Sequence, residues 1–162
     1  MLARSSGTGV LVVTLWFAAW LSLLPLPEAV VWLRPQWLLL VLLYWVVALP
    51  QRVGVFTALV VGLLADVLYG SVLGQHALAF SVSAWLALAV HQRFKVFPAV
   101  QQSLVVFLLV GVAVSIAYFV QDSSGRAQVS PLLMHVGSLV SALLWHPLQN
   151  LLGWVRIRFL VT

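Results

Sequence analysis

The stretch Gly62-Leu-Leu-Ala-Asp66-Val-Leu-Tyr-Gly70-Ser-Val-Leu-Gly74-Gln-His76 sets one carboxylate into an apolar run, with glycines four residues before it and four and eight residues after it. On a helix, a step of four residues advances the direction by about 40° beyond a full turn, so Gly62, Asp66 and Gly70 share one side of a helix and its exit. That side is small and carries one polar group. Glycines at this spacing let a second backbone come close. The segment from Tyr69 to Gln75 is short, and His76 meets Asp66 only if that segment turns back.

The surroundings of this stretch decide its solvent. Hydrophobic residues make up 64% of the 162-residue chain and charged residues 7%, against about 45–50% and roughly 25% in a soluble domain. The chain therefore reads as an all-α integral membrane protein in one domain, residues 1–162. The complete lack of cysteine excludes disulfides, thiolate metal sites and cysteine nucleophiles. The net charge of +5 does not point to nucleic acid, because the basic residues are dispersed between apolar runs as membrane topology requires.

A spanning helix needs about 20 mainly apolar residues. Six candidate spans follow from the charges, prolines and glycines: about 10–24, 30–49, 53–68, 73–90, 100–120 and 131–146. Pro35 is expected in the first turn of the second span, with Arg34 snorkelling to the headgroups. With a cytoplasmic N-terminus, the inner segments hold Arg4, Arg52, Arg93, Lys95, Arg156 and Arg158. The outer loops hold Glu28, Arg34, Asp122 and Arg126. Six of the eight basic residues then lie inside, as the positive-inside rule asks, and both termini are cytoplasmic. Trp32, Trp37, Trp45, Tyr69, Tyr118, Trp145 and Trp154 lie near the expected span ends, where they would anchor or pack.

Pro147 is expected to bend or restart the last helix. From there Leu148, Leu151, Leu152, Val155 and Phe159 fall on one face, with Arg156 and Arg158 largely away from it. Residues 147–160 read either as an interfacial helix on the cytoplasmic leaflet or as a continuation of the sixth span.

An acid at membrane depth needs a partner whether charged or neutral, which makes Asp66 a functional-site candidate by default. Three roles stay open: a structural acceptor at a crowded helix junction, a contact for a partner helix, or a proton-relay or catalytic group. The last lacks a second acid nearby. His135 and His146 point the same way on a helix but lie roughly 16 Å apart along it, too far to share a metal. No phosphate-cradling glycine loop, nucleophile elbow or metalloprotease motif is present. Neither a metal nor a cofactor is expected.

Pro50-Gln-Arg-Val-Gly54, the Gly62 to Leu78 stretch, His91-Gln-Arg-Phe94, Phe97-Pro98 and Gln101-Gln102 together resemble the rod shape-determining MreD family in its gammaproteobacterial form. The resemblance runs from about Pro35 to Arg158 and is most specific around Asp66. It implies a non-catalytic inner-membrane component of the cell-elongation machinery that inserts lateral-wall peptidoglycan. MreC is the implied direct partner, with MreB, RodA and RodA's transpeptidase partner linked through it. It also implies a fold similar to the substrate-binding membrane subunit of energy-coupling transporters. The family's glycine and aspartate positions fall on Gly62, Asp66, Gly70 and Gly74.

On this reading the third span, together with the Gly70 to His76 turn, receives a membrane or juxtamembrane segment of MreC. A cytoplasmic basic patch of Arg93, Lys95, Arg156 and Arg158 either meets anionic lipid or cytoplasmic partners, or marks topology alone. The alternative is a small-molecule-binding subunit of an energy-coupling transporter, although fold alone does not carry function. That alternative needs a pocket with several convergent polar groups, and the spans offer few beyond Asp66, His76 and scattered serines. An enzyme acting on a lipid-linked substrate would need a second intramembrane acid or a His and acid pair at helical spacing.

Overall fold

A computed structural model describes residues 3–125 and 130–159. Arg126 and the last residue of the 147–160 segment lie outside them. The described residues form six α-helices and no strand: α1 (Ala3–Leu23), α2 (Trp37–Ala48), α3 (Val55–Tyr69), α4 (Gln75–Phe94), α5 (Ala99–Ser123) and α6 (Pro131–Arg158), with a 3-10 segment at Glu28–Leu33.

The sequence of α2, Trp-Leu-Leu-Leu-Val-Leu-Leu-Tyr-Trp-Val-Val-Ala, is apolar on every side, and a helix of that kind belongs at the centre of a bundle. Every residue from Leu38 to Val47 is buried. Around this helix α3 packs on α4, α4 on α5 and α5 on α6, while α2 touches α1, α4 and α6. Helix α1 leans chiefly on α2. There the Trp45 indole N–H donates to Thr14 Oγ1 at 2.9 Å.

Two stretches, Val30–Ala48 and Ala99–Ser123, are long and apolar enough to cross a membrane, and α1 and α3 contribute shorter apolar runs. Phe56, Leu64 and Val67 on α3, Val100 and Leu104 on α5, and Leu139 and Leu143 on α6 all face outward. Asp66, Gln75, Ser83, Gln102, Ser138 and Ser141 are buried. Large apolar groups outside and small or polar groups between helices suit a hydrocarbon solvent, in which polar contacts join helices and small residues let them close up. Ser83 Oγ donates to the Leu109 carbonyl at 2.9 Å, joining α4 to α5. Ser103 Oγ meets His146 Nε2 at 3.1 Å, joining α5 to α6.

Two local features differ from the sequence reading, and a third decides between two readings it left open. Residues 30–49 are not one helix: the 3-10 segment ends at Arg34, whose backbone is extended, and α2 starts beyond Pro35. Proline disfavours helical geometry in the residue before it, so the break falls there. The Arg34 carbonyl then rests against α6, where a Cβ on Gly137 would lie 2.8 Å from it. Next, α6 runs without interruption through Pro147, which agrees with the continuation of the sixth span rather than with a separate helix starting there. One helical hydrogen bond is lost, yet the adjacent turns are held by buried Trp145 and Leu152 and by His146, which meets the Ala99 carbonyl at 2.9 Å. Lastly, Asp122 lies in the final turn of α5 rather than in a loop.

Of the aromatic residues expected at span ends, Trp45 and Trp145 are core residues, at 0% and 1% exposure. Trp32 and Trp154 do face outward.

Candidate functional site

The chain between α3 and α4 reverses over five residues, and two glycines make the reversal. Gly70 closes α3 in the left-handed conformation at φ 61°, and the Ser71 N–H returns to the Asp66 carbonyl at 3.1 Å. Gly74, at φ 95°, opens α4. Both conformations are costly for a residue with a side chain. The turn-back brings His76 against Asp66.

Asp66 lies in the last turn of α3 and is 1% exposed. Its Oδ1 accepts hydrogen bonds from the His76 N–H and from Ser71 Oγ, both at 2.8 Å, and faces His76 Nδ1 at 2.9 Å. Its Oδ2 accepts from the Gly74 N–H at 2.8 Å and from the Ala77 N–H at 3.4 Å. The N–H groups of Gly74, His76 and Ala77 belong to the first turn of α4, where no helical carbonyl is available. Because Gly74 has no side chain to cap with, the carboxylate of α3 caps α4 instead, at the positive end of its dipole. An acceptor-only carboxylate at 2.9 Å requires that His76 Nδ1 carry the proton. The ring is held edge-on between Tyr69 and Phe80, with centroids 5.2 and 5.7 Å away.

Gly62 lies one turn before Asp66 on the same face. A Cβ there would sit 2.5 Å from both Ala77 Cα and the His76 carbonyl oxygen. The small face of α3 is therefore filled by α4 of the same chain.

Serine, histidine and aspartate within hydrogen-bond reach invite comparison with a nucleophilic triad. The geometry rejects it. Ser71 Oγ, at 3.1 Å, and Asp66 Oδ1 both meet the same ring nitrogen, Nδ1, so the imidazole cannot take a proton from one side while being oriented from the other.

Beside this junction opens a polar vestibule of about 640 Å³, lined by Gly70, Ser71 and Val72 of the turn together with Arg34, Gln36 and Gln121. A smaller cavity of about 250 Å³ leads inward between Gln75, Tyr118 and Trp32. Gln75 and His76 line both spaces. Gln75 is 1% exposed, and its Oε1 has no hydrogen-bond partner among the described residues. The convergent polar groups that the sequence reading did not find in the spans are supplied here by Arg34, Gln36, Gln75 and Gln121, which stand at span ends. Gln75 directly follows Gly74, and Ser71 stands three residues before it, inside the quoted stretch. An amide directly after a glycine in an apolar run is the signal the sequence offers.

At the opposite end of the bundle, Arg93 lies in the last turn of α4 and Arg156 and Arg158 in the last turn of α6, where cations suit the helix dipole. Lys95 and Arg156 line one cavity of about 550 Å³, whereas Arg93 and Arg158 stand exposed outside it. Among the described residues no three metal-ligating side chains cluster, and His146 is engaged by Ser103 and Ala99.

The model of the family described as rod shape-determining protein MreD matches residues 3–155. The chain belongs to the MreD family. It is 35% identical over 129 residues to the rod shape-determining protein MreD of Haemophilus influenzae, an alignment that covers 77% of this chain and 76% of that one. No solved structure gives a significant match. Membership of MreD ties the chain to the determination of cell shape. The Asp66 junction and the vestibule both lie within the part matched to MreD.

Proposed function

We propose that this MreD-family chain is a multi-pass inner-membrane scaffold of the cell-elongation complex that binds MreC, with both termini cytoplasmic, and that it performs no catalysis. The vestibule carries this reading. It is a concave, polar surface of about 640 Å³ at the predicted outer end of the bundle. Its floor is fixed by the Asp66 junction, so the turn residues Gly70, Ser71 and Val72 are presented in one conformation.

A partner's juxtamembrane segment entering there meets Arg34, Gln36 and Gln121 without reorganising the bundle, which lowers the ordering cost of binding. MreC supplies that segment. Asp66 acts from beneath by shaping the turn, since its oxygens are already taken up within the chain.

A second reading, the small-molecule-binding subunit of an energy-coupling transporter, draws on the inner cavity and the unpartnered Gln75 Oε1. This inner space of about 250 Å³ falls below the roughly 300–1,000 Å³ of drug-sized ligand sites. The scaffold is therefore preferred.

The test is purification of the tagged chain from native membranes in mild detergent, with mass spectrometry of what remains bound. A single-span periplasmic protein, accompanied by smaller amounts of peptidoglycan synthases, is expected. An ATPase pair with a transmembrane coupling subunit would overturn the scaffold in favour of the transporter subunit.

A further inference from the structure

The end of the bundle away from the vestibule holds a cavity of about 550 Å³ between the end of α2, the end of α4 and the second half of α6. Its lining combines two cations, Lys95 and Arg156, with the neutral polar groups of Gln149, Asn150 and Tyr44, and no acid is among its lining residues. Tyr44 and Arg156 line the cavity together, one from α2 and one from the last turn of α6. Trp145, 1% exposed, forms part of the wall, and its indole N–H has no partner among the described residues. The same cavity is flanked by Trp154 and Ile157, which are exposed at 62% and 77%. Cations and neutral polar groups beside outward-facing apolar side chains match a ligand with an anionic oxygen-rich head and a hydrocarbon tail.

We propose that this cavity binds the phosphate of an anionic phospholipid in the leaflet at that end of the bundle. Lys95 contributes a mobile point charge and Arg156 a planar donor set. The amides of Gln149 and Asn150 accept from headgroup hydroxyls, and the lipid's chains run along Trp154 and Ile157. Basic pockets between membrane helices are a recurrent form of lipid recognition. The proposal rests on the multi-pass reading above but not on the identity of any protein partner.

The test is native mass spectrometry of the full chain in detergent, titrated separately with phosphatidylglycerol, phosphatidylethanolamine and inorganic phosphate. Phosphatidylglycerol is expected to stay bound at energies that strip phosphatidylethanolamine. Lys95→Gln, at an exposed residue whose loss leaves the core intact, is expected to weaken it about fivefold, as one surface charge is worth near a membrane. Arg93→Gln removes the same charge outside the cavity and is expected to weaken retention less than Lys95→Gln does. Equal retention of the two lipids, or equal weakening by the two variants, overturns the site. Displacement of phosphatidylglycerol by inorganic phosphate would assign the cavity to a free anion and overturn the lipid. Release of the chain from membranes by alkaline carbonate would instead remove the multi-pass reading, an outcome distinct from an integral chain with no lipid preference.

Discussion

His76 holds a single oxygen of Asp66 from two sides, its backbone N–H at 2.8 Å and its ring Nδ1 at 2.9 Å. The two residues are ten apart in sequence, at the end of one helix and the start of the next. Their contact makes α3 and α4 one rigid hairpin and fixes the turn that forms the vestibule's edge.

Removing the carboxylate should therefore undo the hairpin before anything else. Asp66→Leu strands the N–H groups of Gly74, His76 and Ala77 without an acceptor, at roughly 1–3 kcal/mol for each donor left buried and unmade. Asp66→Asn keeps one acceptor oxygen and should cost less, about 1–3 kcal/mol in total. Thermal unfolding of the purified chain in detergent measures both. Melting of Asp66→Leu alongside the wild type would show that the carboxylate does not hold the two helices together.

The three junction glycines should not be equivalent. Gly62→Ala drives a methyl group into the α4 backbone and should cost about 1–3 kcal/mol by overpacking, with the helices forced apart. Gly70→Ala and Gly74→Ala meet no atom within 4 Å and should cost about 1 kcal/mol each, through backbone strain alone. Disulfide trapping between α3 and α4 reports the separation cleanly because the chain has no native cysteine. The idea fails if Gly62→Ala forms the cross-link as fast as the parent.

Attachment of α1 should hang on one hydrogen bond and its apolar surroundings. Trp45→Phe removes the donor to Thr14 while keeping an aromatic ring in the core, and should cost about 0.6–2 kcal/mol. Hydrogen exchange in α1 should then accelerate more than exchange in α4. Uniform acceleration across both helices would place the bond's effect elsewhere.

The proposed multi-pass arrangement predicts opposite labelling of the two ends. A single cysteine at Ser71 should react with a membrane-impermeant maleimide added to cells with a permeabilised outer membrane. One at Lys95 should react only after the inner membrane is opened. Reaction of both from the same side would contradict an alternating six-helix path.

Much of this protein was legible from local pattern. Long apolar runs broken by Pro, Gly and charge marked six helices, because helix length and apolarity are properties of consecutive residues. The small face of Gly62 and Asp66 was legible for the same reason, being a consequence of helical period. What fills that face was not, because the partner could be any backbone. The fold supplied α4 of the same chain, through two left-handed glycines whose conformations depend on the whole hairpin closing. Nor did the sequence alone decide that Pro35 would break a helix while Pro147 would not. The first stands where the Arg34 carbonyl packs against Gly137, and the second stands where buried neighbours hold the helix on both sides.

Lys95 and Arg156 are sixty-one residues apart, and Arg34, Gln75 and Gln121 come from three separate segments. Their meeting in two cavities at opposite ends is a property of the packed bundle. Solvent preference, helix position and the period of the small face follow from short-range chemistry, which a sequence states directly. Convergence of distant polar groups follows from how the helices cross, and that is set by side-chain packing of all six at once.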